Sequence, residues 1–312
     1  MKPAILAAMP LPPELLPRLA EHYTLLGPYP AGPLPPEARA ARALVTLGGL
    51  RTDAALLAAL PNLGLVACYG TGFEGVDQAA AGAAGVSVTH APDANATAVA
   101  EFAMGLVLAA SRDILRGDSL VRSGGWTSLR IDRMPLTPGL AGRRLGIYGL
   151  GAIGLKIAAR AAAFEMTIGY HNRGRRPGLD YHYLPTLHAL AEWADVLVVA
   201  VRASAENQHA INEAVLRALG PDGVLVNVAR GSVVDEAALA EALAAGTIAA
   251  AGLDVYEHEP QVSEALRTRP NAVLTPHMAA LSRSAQAMQQ QILLDSLAAF
   301  FAGRPLRYRV PT

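Results

Sequence analysis

Gly149-Leu150-Gly151-Ala152-Ile153-Gly154 lies between an apolar run, Leu145–Tyr148, and a helix-patterned stretch, Leu155–Phe164. The three glycines of a G-x-G-x-x-G turn have separate physical tasks. Gly149 permits the tight turn, Gly151 lets backbone approach a pyrophosphate, and Gly154 lets helix and strand pack closely. The helix start then presents free N–H groups and a positive dipole end to the anion, and Ala152, Ile153 and Gly154 of the turn are expected at the cofactor. A strand–turn–helix of this kind predicts a dinucleotide site in a parallel α/β domain.

In such sites a carboxylate about 20 residues further on binds the adenosine ribose. Here the next strand runs into Tyr170-His171-Asn172-Arg173-Gly174-Arg175-Arg176, and no acid appears before Asp180. Asn172 stands where the carboxylate is expected. An aspartate would repel a ribose 2′-phosphate, whereas Asn172 with Arg173 and Arg175 would hydrogen-bond and neutralise it. NADP(H) is therefore the expected cofactor, with NAD(H) accepted at lower efficiency. The competing reading is a solvated basic loop.

Short apolar strands alternate with helical segments through the rest of the chain. Early strands are read at Ala43–Leu47, Leu63–Tyr69 and Gly85–Thr89, with a helix at Thr52–Ala59. Ala96–Arg116 reads as one long helix. A second series starts at Arg144, with strands at Thr167–Tyr170, Val196–Val201, Val224–Val228 and Ile248–Leu253. Asp235 is placed to cap a helix through about Ala245, with Gly246 just past its end. A final helix spans about Arg283 to Ala302. At roughly 100–200 residues per domain, the length suggests two domains.

Composition narrows the partners. The 312 residues carry 26 basic and 26 acidic side chains, so no global field attracts nucleic acid. At 52% hydrophobic and 17% charged the chain is no disordered segment. No apolar run reaches the roughly 18 residues of a membrane span, and the expected location is the cytoplasm. One cysteine, Cys68, makes neither an intrachain disulfide nor a multi-cysteine zinc site, and no metal is expected. It sits in an apolar strand pattern and reads as core.

Three polar residues stand at the ends of apolar segments in the second half. They are Arg230 in Asn227-Val228-Ala229-Arg230-Gly231, Glu259 in Asp254-Val255-Tyr256-Glu257-His258-Glu259-Pro260, and His277 in Thr275-Pro276-His277. In open α/β sheets ligands bind outside the carboxyl ends of strands, so the three are expected at one cleft. The set suits reduction of a 2-keto acid: His277 donates the proton, Glu259 holds the imidazole and raises its pKa, and Arg230 binds the substrate carboxylate. Singly, each also has a structural reading, as core histidine or surface ion pair.

With these segments, and with Gly70-Thr71-Gly72 and Ala98-Val99-Ala100-Glu101, the chain resembles the D-isomer-specific 2-hydroxyacid dehydrogenases. The resemblance is to their glyoxylate/hydroxypyruvate reductase branch and covers nearly the whole chain. It implies two Rossmann-like domains with parallel sheets, a substrate-binding one over 1–95 and 283–312 and a dinucleotide-binding one over 96–282, the last helix returning to the N-terminal one, and a homodimer. It implies Arg230, Glu259 and His277 as the catalytic set. Backbone near Leu47, Gly48, Thr71 and Gly72 would grip the substrate carboxylate, while Thr97, Val201, Ala229 and Asp254 would line the cofactor site. Trp126 would reach a substrate pocket or serve packing. The segment Arg202–Glu206 lacks the family's usual proline-containing loop. Glu259 stands where formate dehydrogenases carry glutamine, so formate is not expected, and the length leaves no room for a C-terminal regulatory domain.

Two other chemistries fail on residues. Lys156 has no tyrosine four positions before it, as a short-chain dehydrogenase needs, and no P-loop Gly-Lys-Ser/Thr is present. The alternative from another class is a non-catalytic dinucleotide sensor or corepressor on the same fold.

Overall fold

A computed structural model describes residues 2–29, 34–128 and 136–310. The chain divides into two compact units, Met1–Asn95 with Ser282–Thr312, and Ala96–Leu281. Ser282, expected at the end of the dinucleotide-binding stretch, belongs to the first unit. Its side chain caps the last helix by accepting from the Ala285 amide.

In the first unit the elements are β1 (Ala4–Ala7), α1 (Leu15–His22), β2 (Thr24–Leu26), β3 (Ala43–Thr46), α2 (Ala54–Ala59), β4 (Leu65–Cys68), α3 (Gln78–Ala83) and β5 (Ser87–Thr89). The sheet order is β2-β1-β3-β4-β5, and all pairs are parallel. This is the 2-1-3-4-5 doubly wound order, a sibling of the Rossmann arrangement. Asp53 and Asp77 cap α2 and α3 through the Leu56 and Ala80 amides.

The second unit contains α4 (Ala96–Ser111), α5 (Ile114–Arg122), β6 (Arg144–Tyr148), α6 (Ala152–Ala162), β7 (Thr167–His171), β8 (His182–Tyr183), α7 (Leu187–Trp193), β9 (Val196–Val199), α8 (Glu213–Leu219), β10 (Val224–Asn227), α9 (Glu236–Ala245), β11 (Ala250–Leu253), α10 (Glu264–Arg267) and β12 (Ala272–Leu274). The parallel order β12-β11-β10-β9-β6-β7-β8 is the Rossmann 3-2-1-4-5-6 arrangement with one added strand. β9 and β10 are buried at every position, which is why their sequences are almost uninterruptedly apolar. The last helix, α11 (Arg283–Phe301), returns to the first unit, where Leu293 and Leu297 pack with Ile5, Val45 and Leu65.

Two expectations are corrected. Ala96–Arg116 is not one helix: Asp113 adopts φ 53°, a left-handed conformation that ends α4 and starts α5 on a new axis. The helix after the glycine turn begins at Ala152, inside the motif, with Gly151 as its N-cap, rather than at Leu155. Among the described residues no helix is long and apolar enough to cross a membrane.

Candidate active site

The glycine turn joins β6 to α6 at the point where the sheet order reverses. Gly149 has φ +101°, and a Cβ there would lie 2.5 Å from the Val201 Cα. At Gly154 a Cβ would run into the Gly149 carbonyl oxygen, so the helix seats on the turn only without a side chain. At Gly151, by contrast, a Cβ would meet open space. No side chain caps α6, which leaves its first amides for an anion.

That open space belongs to a cavity of about 1000 Å³ at the ends of β6, β7 and β9. Of the expected cofactor residues, Gly149, Gly151, Asn172, Arg173 and Val201 line it. Thr97, Ala152, Ile153, Gly154, Arg175, Ala229 and Asp254 do not. The cavity also holds Arg176 of the basic run, Tyr148 and His171, which motif reading missed, and Arg202 and Ser204–Asn207 of the segment after β9. One signal for that segment was legible, since Ser204 and Asn207 have capping-box spacing. The Ser204 amide donates to Asn207 Oδ1 at 2.8 Å, and Asn207 Nδ2 donates to the Arg202 carbonyl at 2.8 Å. Three arginines, Arg173, Arg176 and Arg202, face one acid, Glu206, around this lining. A cationic cavity beside an uncapped helix start fits an anionic dinucleotide.

The ends of β10, β11 and β12 bring the strand-end residues to adjacent positions. Asn227 Oδ1 accepts from the Ala229 amide at 3.0 Å, and its Nδ2 donates to the Arg230 carbonyl at 3.0 Å. Gly231 follows with no room for a side chain, since a Cβ would strike the Tyr256 carbonyl. The Arg230 turn is thereby pressed against the segment that carries Glu259.

His277 Nδ1 lies 2.7 Å from Glu259 Oε2, and Glu259 Oε1 accepts from the Tyr256 amide at 3.1 Å. The pair is half exposed, 47% at His277 and 36% at Glu259, so the imidazole is within reach of a substrate. His277 itself has φ 51°, a conformation that non-glycine residues hold only under tertiary constraint.

The constraint is Asp254. Its Oδ1 accepts from Thr275 Oγ1 at 2.6 Å and the Met278 amide at 2.9 Å, and its Oδ2 from the Ala279 amide at 2.8 Å. Asp254, expected to line the cofactor site, is buried and spends both oxygens on the loop that carries His277. Tyr256 supports the same loop by donating to the Thr275 carbonyl at 3.0 Å, and burial pushes its hydroxyl up to about 12. Beneath the segment lies Glu236, which accepts from the Glu257 amide at 2.5 Å. The Glu257 side chain pairs with His209, a second histidine–carboxylate contact. None of these supporting roles carries a motif of its own.

In the first unit, Leu47 and Gly48 follow β3, and Thr71 and Gly72 follow β4. Gly48 faces Gly72 so closely that a Cβ would overlap its carbonyl. Among the described residues the amides of Gly48, Thr71 and Gly72 make no backbone hydrogen bond, and His90 Nδ1 donates to the Thr71 carbonyl at 2.9 Å. Such unpaired amides at strand ends suit a carboxylate. Cys68 closes β4, buried, with its thiol pushed up to about 12 by desolvation and the Glu74 charge. Among the described residues no group of three His, Cys, Asp or Glu side chains is arranged to hold a metal ion.

Comparison with known proteins agrees with this geometry. Residues 104–279 match the family described as D-isomer specific 2-hydroxyacid dehydrogenase, NAD binding domain. The chain is 39% identical over 308 residues to 2-ketogluconate reductase of Gluconobacter oxydans, covering 98% of this chain and 97% of that one. It is 40% identical over 270 residues to hydroxyphenylpyruvate reductase of Plectranthus scutellarioides, with coverage of 86% and 85%. The crystal structure of the NADPH-dependent glyoxylate/hydroxypyruvate reductase of Sinorhizobium meliloti, in complex with NADP and malonate, superposes with a TM-score of 0.92 at 41% identity. That match covers 99% of this chain and 97% of the other. The chain belongs to the D-isomer specific 2-hydroxyacid dehydrogenase family.

Proposed function

We propose that the chain reduces a small 2-keto acid, glyoxylate or hydroxypyruvate, to the D-2-hydroxy acid with NADPH as reductant and His277 as general acid. The observation that carries this reading is the 2.7 Å contact between His277 Nδ1 and Glu259 Oε2 in the unit with the family match. Bound in the cavity, the nicotinamide cofactor supplies a hydride. Glu259 accepts from Nδ1–H, which fixes the ring and leaves Nε2–H of the imidazolium for the substrate. As the keto carbon gains hydride, its C=O π pair moves to oxygen, and that oxygen takes the Nε2 proton. Arg230 stabilises the developing negative charge. The amides after β3 and β4, at Leu47, Gly48, Thr71 and Gly72, hold the substrate carboxylate.

NADPH follows from Asn172 in place of a carboxylate and from the arginine excess in the cavity lining. The sensor alternative would do without a paired acid and base, so the His277–Glu259 contact favours an enzyme. A panel of glyoxylate, hydroxypyruvate and phenylpyruvate with each cofactor tests the reading. Turnover of the two small acids with NADPH at least about tenfold above NADH in kcat/KM is expected. NADPH binding without turnover of any acid, or a higher kcat/KM with NADH, refutes it.

We also infer a cytoplasmic homodimer. Helix α5 buries none of its residues, and Ile114, Leu115, Val121 and Trp126 are all exposed on or just after it. A second copy of the chain would cover this stretch. On this reading Trp126 serves the contact between copies. Light scattering would give twice the 32.5 kDa chain mass, and monomer at micromolar concentration would refute it.

A further inference from the structure

Arg173, Arg175 and Arg176 look equivalent as a basic run, yet the structure gives them different positions. Leu150, the residue between the first two glycines of the turn, is pinned on three sides. Its side chain is fully buried in the core of the second unit. Its amide donates to Asn172 Oδ1 at 2.7 Å, and its carbonyl accepts from Arg176 Nη1 at 2.6 Å. Arg176 is itself anchored: its amide donates at 2.9 Å to the hydroxyl of Tyr170, a fully buried ring on β7. Tyr183 OH donates at 3.4 Å to the Asn172 carbonyl, tying down the other arm. Arg173 lines the same cavity and has no hydrogen-bond or ion-pair partner among the described residues.

We propose that Arg176 is a positioning residue that holds the glycine-rich turn in its pyrophosphate-binding shape; Arg173, which on the NADPH reading above meets the ribose phosphate, is the contrast. The Leu150 carbonyl would otherwise be free to rotate toward the anion site. A peptide flip there would aim a carbonyl at the pyrophosphate where the turn must offer N–H groups. Two contacts from one loop, a carboxamide acceptor and a guanidinium donor, hold the two peptide units on either side of the Leu150 Cα, the guanidinium holding the one whose carbonyl would flip. The lock serves any dinucleotide, because the pyrophosphate is common to NADH and NADPH. Arg173, by contrast, makes no hydrogen bond to the turn, and on the NADPH reading it meets the phosphate that NADPH alone carries.

The proposal rests on a dinucleotide occupying the cavity, and its test separates it from the NADPH preference. Dissociation constants for NADPH and NADH would be measured by nicotinamide fluorescence titration, without substrate, for the full chain and for Arg176→Ala and Arg173→Ala. Arg176→Ala is expected to weaken both cofactors by the same factor, on the order of tenfold. Arg173→Ala is expected to weaken NADPH by at least about tenfold and leave NADH within about twofold. If Arg176→Ala folds poorly, Arg176→Gln carries the same ratio test. A loss confined to NADPH in the Arg176 variant overturns the positioning role. An equal loss of both cofactors in the Arg173 variant overturns the contrast. If the unsubstituted chain binds both cofactors equally, the NADPH preference fails while the equal-loss criterion for Arg176 still decides its role.

Discussion

His277 needs a loop that costs energy to hold. Its left-handed backbone persists because Asp254 collects three donors from Thr275, Met278 and Ala279. Removing that carboxylate leaves buried donors unpaired, so Asp254→Ala is expected to lower stability by about 2–3 kcal/mol in denaturant titrations. A change under about 0.5 kcal/mol would show that the loop holds itself. Arg230→Lys is expected to lower kcat/KM by at least about tenfold, because a point charge does not reproduce a planar fork. Activity near that of the parent would take Arg230 out of substrate contact. Cys68, with its thiol pushed up to about 12, should resist thiol reagents in the folded protein and react once unfolded. The strand-end trio was legible because polar residues punctuated apolar runs. The work of Asp254 and Arg176 was not, since each depends on a partner more than twenty positions away in the chain.

At the scale of elements, the segment after β11 is the one the site leans on most. Gly231 presses on it from one side and Glu236 from below. Gly231→Ala would force a methyl into the Tyr256 carbonyl and is expected to cost at least about 2 kcal/mol. Burial pushes the Glu236 carboxyl above the ordinary carboxylate range; the Glu257 amide pulls it down and the Glu257 charge adds to the push. A carboxyl raised in the folded state contributes stability that is complete below its unfolded pKa and lost as pH climbs through the folded one. Glu236→Gln has no such proton to lose. Its melting temperature relative to the parent should therefore rise as pH climbs above the ordinary carboxylate range, whereas a pH-independent difference would refute the assignment.

Elements also differ in how far they can be read from sequence. β9 and β10 were plain because both faces are covered and every residue but Asn227 is apolar. The break between α4 and α5 carries neither glycine nor proline, only Asp113 in a left-handed conformation, so helical periodicity ran across it. β8 is two residues long and has no room for a pattern.

For the molecule as a whole, zero net charge hides a local imbalance. Around the dinucleotide cavity, Arg173, Arg176 and Arg202 outnumber Glu206, while the charges of Glu257 and Glu259, the partner of His277, both act on Glu236. The two sheets follow different doubly wound orders, and each puts its candidate ligand groups at the carboxyl ends of its strands. The decisive measurement is the rate of hydride transfer from bound NADPH to hydroxypyruvate in a single turnover, comparing the parent chain with His277→Ala. A fall of at least about 10²-fold with NADPH affinity unchanged is the expected result. An unchanged rate, with chemistry still limiting, would contradict His277 as the proton donor.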